Sequence, residues 1–583
     1  MKGIKSISSL RRTLVADDFV HLLIPAMLSV MVDYILELAD SIIAGNMLGD
    51  KALAGVTLCQ PFFSFFLFVQ VLILTGTAVL YSESVGREDR KAANKFFGQG
   101  VILSLAAGAF ITLLSLIFKH QILNFLNAPK DIEAYAGTYF SYLLYLPLFI
   151  VYFVMYTVVM NDGGKKWCNI SSIVLIVFKI VLSIVLCKSM GIGGLCLGTY
   201  IGLTVGILIL MLKFFERNNK LKFIFFINLR ESLNVMKFGF SESFFSLCVS
   251  GIYMFFNWFL LKNYDGNAII IFTMVMSLLQ LCVSVSDGIN EAVQPIIEIF
   301  RGEGNLGEMA KTMSVAFYIS SLFLVPVVVI IFIGAKYVPS IFGVNDPSLQ
   351  TAAVEAIRIF MSSALFLIGG LCFCTYMLFT EHFVYSILNT LFVILMLPFT
   401  FLFGTSGNLN GVWAAMSISV VVGLFIILLL VRVRAKKYNC VFPWLIDKEQ
   451  LSNQTSFDVM ATENNLKPLM NSVEQELIKR GVEQRRILRI LLMLEETYML
   501  NLDKARMKTG KKAEKKFYVG CTLMFRDKII YMFVRSNGAY SDVTNSDIMP
   551  QSLREYLSTM IVSSQKGSRF SLSVGDNRTI YEF

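Results

Sequence analysis

Runs of about 20 or more apolar residues recur along the sequence up to about residue 434. A helix of that length matches the hydrocarbon thickness of a bilayer. Hydrophobic residues make up 56% of the 583 residues and charged residues only 16%, far from a soluble average. The pattern predicts an all-α membrane protein with twelve transmembrane helices, at 19–45, 53–82, 96–118, 134–160, 168–188, 193–215, 236–262, 268–299, 310–335, 350–380, 384–404 and 409–433.

The flanking charges predict the orientation of these helices. The segment Met1–Arg12 leads into a full-length span, so a cleavable signal is not expected. Loops assigned to the inside, together with the N-terminus, carry roughly 20 basic residues and the alternate loops roughly 6. This bias places both termini in the cytoplasm of a multi-pass plasma-membrane protein, and the net charge of +10 needs no nucleic-acid partner to explain it.

The membrane part contains an internal repeat. FLNAPKDIEAYAGTYFSYLLYLPLF resembles FGVNDPSLQTAAVEAIRIFMSSALF, and LYSESVGREDRKAANKF resembles IIEIFRGEGNLGEMAKTM. Both pairs are offset by roughly 215–220 residues, so each unit holds six helices and the two units share one orientation. The predicted divisions are 1–18 (N-terminus), 19–217 (first bundle), 218–235 (linker), 236–437 (second bundle) and 438–583 (cytosolic domain). Parallel repeats of this kind are a transporter architecture, with the substrate cavity between the halves.

Each repeat carries an acidic stripe on one helix. Asp33, Glu37 and Asp40 in the first helix follow i, i+4, i+7 spacing, within an arc of about 60°. Carboxylates at mid-bilayer cost about 2.5–3.5 kcal/mol each, so this face must line a wet cavity or meet buried cations. A structural polar seam between helices is the alternative interpretation.

The second stripe lies in the eighth helix and consists of Asp287, Glu291, Gln294 and Glu298. Glu298 is expected to be solvated near the cytoplasmic end, with Asp287 and Glu291 deeper. Two such acids side by side raise each other's proton affinity, which suits a proton relay or a cation site. Glu242, near a helix end, is interpreted as structural or interfacial.

The opening IPAMLSVMVDYILELADSIIAGNMLGDKALAGVTLCQPF resembles the first two helices of the multidrug and toxic compound extrusion (MATE) family. GINEAVQPIIEIFRGEGNLGEMAKT is similar to that family's eighth helix and following loop, and NDGGKKWCNISS to its turn between helices four and five. The resemblance covers about residues 15–435. It implies twelve helices in two bundles around a V-shaped cavity, and export of amphipathic, often cationic compounds in exchange for H⁺ or Na⁺. It also implies that Asp40 is the acid involved in ion coupling.

The sequence departs from the family pattern in the fifth helix. The family often has an Asn there and, four residues on, an Asp, whereas this chain has Lys179 and Ser183. A lysine in the middle of an almost wholly apolar helix would face lipid only at a large cost in free energy. An ion pair with Asp33, Glu37 or Asp40 is therefore predicted, with Lys179 acting as a tethered cation. Either ion coupling is altered, or the additional acids restore a titratable site.

The composition becomes charged and mixed after about residue 437, and the remaining length suits one small α+β domain. Its pattern predicts a strand, two amphipathic helices, a hairpin and a final strand pair. This order resembles the GHKL-type ATPase fold of anti-sigma-factor kinases. Leu500 stands at the usual metal-binding Asn position, so the site is predicted to be degenerate and regulatory, without kinase activity. Its candidate residues are Glu495, Glu496, Asn501, Asn537 and Gly538.

The sequence favours a secondary active antiporter over an enzyme. It lacks a GxxxxGK[ST] loop, a histidine in the tail, a GxSxG elbow and a Cys/His metal cluster, and its ten cysteines are expected to be neither disulfides nor ligands. No cofactor or metal is expected beyond H⁺ or Na⁺, and ATP is not expected at the tail. The expected partners are a small-molecule substrate, membrane lipids and a cytosolic protein that binds the tail. A lipid-linked oligosaccharide flippase and a receptor that signals through the tail remain alternatives.

Overall fold

The computed structural model describes residues 14–48, 52, 60–119, 121, 137–141, 146–216, 219–264, 266–341, 346–379, 387–404, 409–509, 517–526, 529–537, 560–561, 565, 568–573 and 576–583. Within these residues, ten helices are long and apolar enough to cross a membrane. Two further helices, Leu14–Leu48 and Leu146–Asn161, complete two sets of six.

The helices of the membrane part follow the predicted order. In the first set they are α1 (Leu14–Leu48), α2 (Gln60–Gly86), α3 (Arg90–Ile117), α4 (Leu146–Asn161), α5 (Lys165–Met190) and α6 (Ile192–Met211). In the second set they are α7 (Leu229–Asn263), α8 (Gly266–Glu303), α9 (Leu306–Gly334), α10 (Pro347–Phe379), α11 (Ile387–Gly404) and α12 (Leu409–Lys437).

Each set of six forms one bundle. In the first bundle α5 packs along α6 and α1, and α3 packs against α2 and α4; in the second, α8 packs against α9 and α10, and α12 against α10 and α11. The bundles meet where α1 contacts α8 and where α2 contacts α7 and α8. The two acidic helices of the sequence, α1 and α8, are therefore neighbours across the boundary between the bundles.

Several helices extend further than their apolar runs predict. Helix α2 continues to Gly86 and α8 to Glu303, while α7 begins at Leu229. Hydropathy detects only the part of a helix that lies in hydrocarbon, but a helix can continue into water with polar side chains because its backbone hydrogen bonds are internal. The extensions of α2 and α8 form part of the face on which the C-terminal domain docks.

The turns that follow α2 and α8 repeat each other in backbone geometry. Glu88 and Gly304 both adopt left-handed backbone conformations, with φ of 65° and 72°. The next residues, Asp89 and Asn305, both cap a helix N-terminus by accepting a backbone N–H three residues on, at 2.8 and 3.2 Å. The sequence repeat is thus present as a structural repeat at these two loops.

A short hairpin connects the membrane part to the C-terminal domain. Strands β1 (Cys440–Val441) and β2 (Ile446–Asp447) pair, and Trp444 between them packs against Phe317, Phe373 and Tyr376, with ring centroids 5.9–6.1 Å apart. Leu445 and Ile446 belong to the same buried cluster as the membrane helices. These residues after α12 therefore pack as part of the second bundle.

The C-terminal domain is a five-stranded antiparallel sheet with two helices on one face. The strands β3 (Gln454–Met460), β4 (Tyr518–Arg526), β5 (Ile529–Ser536), β6 (Arg569–Ser573) and β7 (Asp576–Glu582) have the spatial order β3-β4-β5-β7-β6. Helices α13 (Glu463–Lys479) and α14 (Gln484–Thr509) cover one face of the sheet. Leu494 of α14 belongs to the same buried cluster as Cys521 of β4 and Val534 of β5. Because side chains alternate along a strand, the neighbouring residues Thr522 and Arg535 point to the other face, toward the membrane part.

Candidate functional site: buried charges in the two bundles

Lys179 lies against Asp40 inside the first bundle. The lysine is fully buried and Asp40 is 4% exposed. The ammonium group donates to Asp40 Oδ1, to Thr199 Oγ1 and, at 3.3 Å, to the carbonyl of Leu195. Tyr139 donates its hydroxyl to the other carboxylate oxygen of Asp40 at 3.0 Å. Both charges are thus paired and hydrogen-bonded, the condition under which buried ions are tolerated.

Glycines of α6 let the backbone of α5 approach closely enough for this arrangement. Gly194, Gly198 and Gly202 recur every four residues, and a Cβ on Gly198 would lie 2.4 Å from Ser183 Oγ. A Cβ on Gly202 would lie 3.5 Å from the Lys179 backbone nitrogen. Small residues at this spacing are typical of closely packed membrane helices. The close approach brings Thr199 and Leu195 of α6 within hydrogen-bonding reach of the lysine.

Of the three acids predicted on α1, the structure pairs Asp40 with Lys179. Asp33 and Glu37 belong to α1, but their side chains lie outside the described part of the structure. Ser183, at the position of the family's Asp, donates to the carbonyl of Leu195 at 3.3 Å. The site that the family resemblance assigns to a mobile cation therefore holds a fixed ammonium group among the described side chains.

The acidic stripe on α8 divides into two environments. Asp287 is exposed at the surface of α8, and Glu242 of α7 lies within the range of electrostatic repulsion from it. Glu242 accepts a hydrogen bond from Thr75 of α2 at 2.7 Å, across the boundary between the bundles. Glu291, one turn below Asp287, is partly buried.

The prediction that Glu298 is solvated is wrong. Its side chain is fully buried, and Gln294 donates to its Oε1 at 2.9 Å. The reason is that α8 packs against α2 at this level, so that the cytoplasmic end of the stripe is covered by the other bundle. Position along a helix does not predict solvation where a second helix crosses it.

The ends of α2 and α8 that face the C-terminal domain form a closed seam. Glu83 of α2 pairs with Arg301 of α8, and both side chains are at least nine-tenths buried. The ends touch through Gly86 and Gly302: a Cβ on Gly86 would lie 2.9 Å from the Cα of Gly302. This seam lies about four turns of α8 below Asp287, on the side that the basic loops assign to the cytoplasm.

The residues of the expected nucleotide site have structural roles where they are described. Asn501 is buried; it donates to the carbonyl of Thr497 and accepts from the Ser536 hydroxyl, both at 2.8 Å. Asn537 accepts from the backbone N–H of Tyr518 at 2.8 Å. Glu495 is exposed and Glu496 partly exposed on α14, Leu500 is buried, and Gly538 lies outside the described residues.

Titration in the C-terminal domain reflects burial and pairing. Burial raises the pKa of the Cys521 thiol to about 12, which keeps it protonated and unreactive. Burial also acts to raise the pKa of Glu476, but hydrogen bonds from Arg480 and Thr455 outweigh it and the net shift is downward. The described cysteines form no disulfide, and no group of three or more His, Cys, Asp or Glu side chains in the described regions could hold a metal ion.

Sequence patterns did not single out the partners that complete these sites. Tyr139 and Thr199 lie in neighbouring helices, and their role depends on how those helices pack. Arg535 and Arg578, which contact the membrane part from the sheet, stand at alternate positions from Val534 and Tyr581, which face α13 and α14. Alternation of arginine with buried apolar residues by itself predicts a solvated second face, so the sequence pattern gave no signal that this face is covered.

Comparisons with known proteins agree with this architecture. The MatE family model matches residues 25–186. The "Probable multidrug resistance protein YoeA" of Bacillus subtilis (strain 168) is 25% identical over 208 residues, 34% of this chain and 45% of that protein. The "Multidrug export protein MepA" of Staphylococcus haemolyticus (strain JCSC1435) is 20% identical over 355 residues, 59% of this chain and 77% of that protein. The chain thus matches less than half of the length of the YoeA relative.

Solved structures match the membrane part as a whole. A MATE crystal structure in the bent conformation superposes with a TM-score of 0.67 at 21% identity, over 74% of this chain and 97% of that one. A MOP superfamily transporter from Pyrococcus furiosus, described as having a binding pocket of reverse polarity, gives a TM-score of 0.66 at 20% identity, over 76% and 100%. The two six-helix bundles therefore define a membrane protein of transporter architecture. Its fold is that of the MATE transporters.

Proposed function

We propose that this chain is a secondary active antiporter that exports amphipathic, cationic small molecules in exchange for H⁺ or Na⁺. In this proposal α1 and α4 also span the membrane, giving twelve spans with both termini in the cytoplasm of a plasma membrane. The names of the relatives support export of drugs as the activity, and the fold supports a transporter over an enzyme. The C-terminal domain is proposed to regulate transport and to bind a cytosolic protein rather than ATP.

The observation that carries the proposal is the exposed carboxylate of Asp287 on α8, within electrostatic range of Glu242. Two acids that share a low-dielectric site favour uptake of a proton or a cation. Asp40, in contrast, is already neutralised by Lys179. We therefore assign ion coupling to Asp287, with Glu291 and Gln294 beside it, and a static role to the Asp40–Lys179 pair. An acidic cavity also favours a cationic cargo over the pyrophosphate of a lipid-linked oligosaccharide.

The test is efflux of ethidium from reconstituted vesicles under separately imposed H⁺ and Na⁺ gradients. One gradient should accelerate efflux, and Asp287→Asn should reduce that rate to the rate without a gradient, because an amide neither takes up a proton nor attracts a cation. Asp346→Asn is the matched control: this exposed aspartate caps the turn before α10 through Ser348, a role that asparagine also fills. Gradient-driven efflux at the wild-type rate in Asp287→Asn would contradict the assignment.

A further inference from the structure

The C-terminal sheet docks on the two loops that repeat each other in the membrane part. Arg578 of β7 and Arg535 of β5 both donate to Glu303 Oε1, and Asp458 of β3 pairs with Lys311. Gln454, at the start of β3, donates to the carbonyl of Gly304 at 2.6 Å and accepts from the backbone N–H of Gly307 at 3.1 Å. These contacts fasten the sheet to the loop between α8 and α9.

Side chains of the sheet also reach the first bundle. Arg578 donates to the carbonyl of Gly86 at 3.3 Å and to Glu88 Oε1 at 3.1 Å, and it also donates to Glu303 of the second bundle. Arg578 and Glu303 are both fully buried at the side chain. The guanidinium group presents several donors in a fixed plane, so it holds the ends of α2 and α8 at one separation.

The backbone at Glu88 supports a role for its side chain. The equivalent position in the second loop is Gly304, and both residues have left-handed φ values that disfavour any residue with a Cβ. A glycine would satisfy the turn in the first loop as it does in the second. The chain instead has a glutamate there, and its carboxylate binds Arg578. Glu88 keeps a backbone conformation that glycine would adopt at lower energy. This indicates that the contact of its carboxylate with Arg578 has a functional role.

We infer that the C-terminal domain is a clamp on the cytoplasmic side of the transporter, which holds the seam between α2 and α8 closed through Arg578. Opening the cavity to the cytoplasm requires Gly86 and Gly302 to separate, and Arg578 cannot then keep its contacts with Glu88 and Glu303 together. Docking of the sheet and opening of the seam are therefore mutually exclusive, and any partner that detaches the sheet releases the transporter. The role of the clamp in regulating transport rests on the proposed function, whereas the closure of the seam by Arg578 does not.

The test measures the seam directly. Ser82 of α2 is fully buried one turn from Gly86, where its hydroxyl accepts from Asn161. Ser82→Cys in the full-length protein is labelled with a membrane-impermeant maleimide in inside-out vesicles, and the signal of the chain without this change is subtracted. Arg578→Gln should accelerate labelling at least about fivefold, the lower range of typical coupling between sites. Glu303→Gln, which leaves the sheet sequence intact, should do the same.

Glu88→Gly is the most informative variant, because it relieves the backbone of the first loop and removes the side chain that binds Arg578. It should accelerate labelling without lowering the melting temperature. Arg569→Gln is the control: this arginine lies on the neighbouring strand, is 63% exposed and contacts Glu88 alone, at 3.5 Å. Its labelling should equal that of the parent.

Unchanged labelling in Arg578→Gln, Glu303→Gln and Glu88→Gly would overturn the clamp, whatever the efflux assays give. Faster labelling in all three, in a protein that exports no cation, would leave the clamp standing and refute the proposed function.

Discussion

Lys179 is the residue that most separates this chain from the family it resembles. Its ammonium group is fully buried and depends on Asp40, Thr199 and the carbonyl of Leu195 for hydrogen bonds. A buried pair of this kind adds little net stability over an apolar pair, but removal of one partner leaves the other charge without compensation. The pair is therefore expected to fix the packing of α1 against α5 and α6.

We predict that Lys179→Ala destabilises the protein by about 3–5 kcal/mol at neutral pH, because it leaves the Asp40 carboxylate buried and unpaired. The loss should be smaller at low pH, where Asp40 can take up a proton and become neutral. Thermal unfolding across a pH series measures this difference. An equal loss at all pH values would show that the carboxylate does not respond to the lysine.

A double-mutant cycle identifies the partner. The pair Lys179→Ala and Asp40→Asn should show a coupling energy of about 3 kcal/mol or more, whereas cycles of Lys179 with Asp33 or Glu37 should give values near zero. Coupling near zero for Asp40 would mean that the lysine is stabilised by Thr199 and the backbone alone.

The sequence predicted the need for this pair but not its geometry. A lysine amid apolar residues requires an acid, and α1 offered three acids on one face. The choice of Asp40 depends on the close approach of α5 and α6 along the glycines of α6, which is a property of three packed helices rather than of any one. Helix packing also explains why Glu298 was wrongly predicted to be solvated, because α2 packs against α8 and buries this side chain.

At the scale of elements, the C-terminal sheet follows from its strand patterns, but its docking face does not follow from hydropathy. Val534 and Cys521 face α13 and α14, while Arg535 and Thr522 face the membrane part. Alternation of this kind predicts a half-buried sheet with one polar, solvated face. The polar face is instead covered, because its arginines meet Glu88 and Glu303.

Asn501 of α14, which was expected to lie in a nucleotide site, has a structural role instead. Asn501 uses its amide on Thr497 and its carbonyl oxygen on Ser536, so the side chain ties α14 to β5. We predict that the full-length protein does not bind Mg-ATP measurably in calorimetry, since neither the Asn501 oxygen nor the apolar Leu500 is available as a metal ligand. The matched variant Leu500→Asn tests whether one restored ligand creates affinity. Binding at micromolar affinity in the unchanged protein would contradict the prediction.

Asn501→Ala should instead lower stability, because the buried hydroxyl of Ser536 loses its acceptor. Removal of one partner of a buried hydrogen bond costs about 1–3 kcal/mol. Thermal unfolding of the full-length protein measures this loss. No change in melting would argue against the structural role of Asn501.

At the scale of the whole molecule, the C-terminal domain contacts both repeats at equivalent loops. Glu88 follows α2 and Gly304 follows α8, and the sheet binds the side chain of one and the backbone of the other. A domain attached to one bundle only could move with it during transport. A domain attached to both must change its contacts whenever the bundles rotate relative to each other, which would couple its state to the proposed transport cycle.

The same geometry decides how a truncation should be designed. The hairpin after α12 belongs to the second bundle, because Trp444 packs among Phe317, Phe373 and Tyr376. A chain that ends after residue 453 keeps this hairpin and loses only the sheet, α13 and α14. A chain that ends after residue 437 also loses the tryptophan, at a cost of about 3–5 kcal/mol by analogy with large-to-small core changes.

We predict that the chain ending after residue 453 remains folded and retains gradient-driven ethidium efflux, since the cavity acids and the Asp40–Lys179 pair all lie in the bundles. A receptor that signals through its tail would show no such flux in either form. Reconstituted vesicles measure the initial rate, and melting of the purified protein confirms that the bundles are intact. The chain ending after residue 437 is the control for the hairpin and should melt at a lower temperature. Loss of flux in a fully folded chain ending after residue 453 would show that the C-terminal domain takes part in transport itself, beyond holding the seam closed.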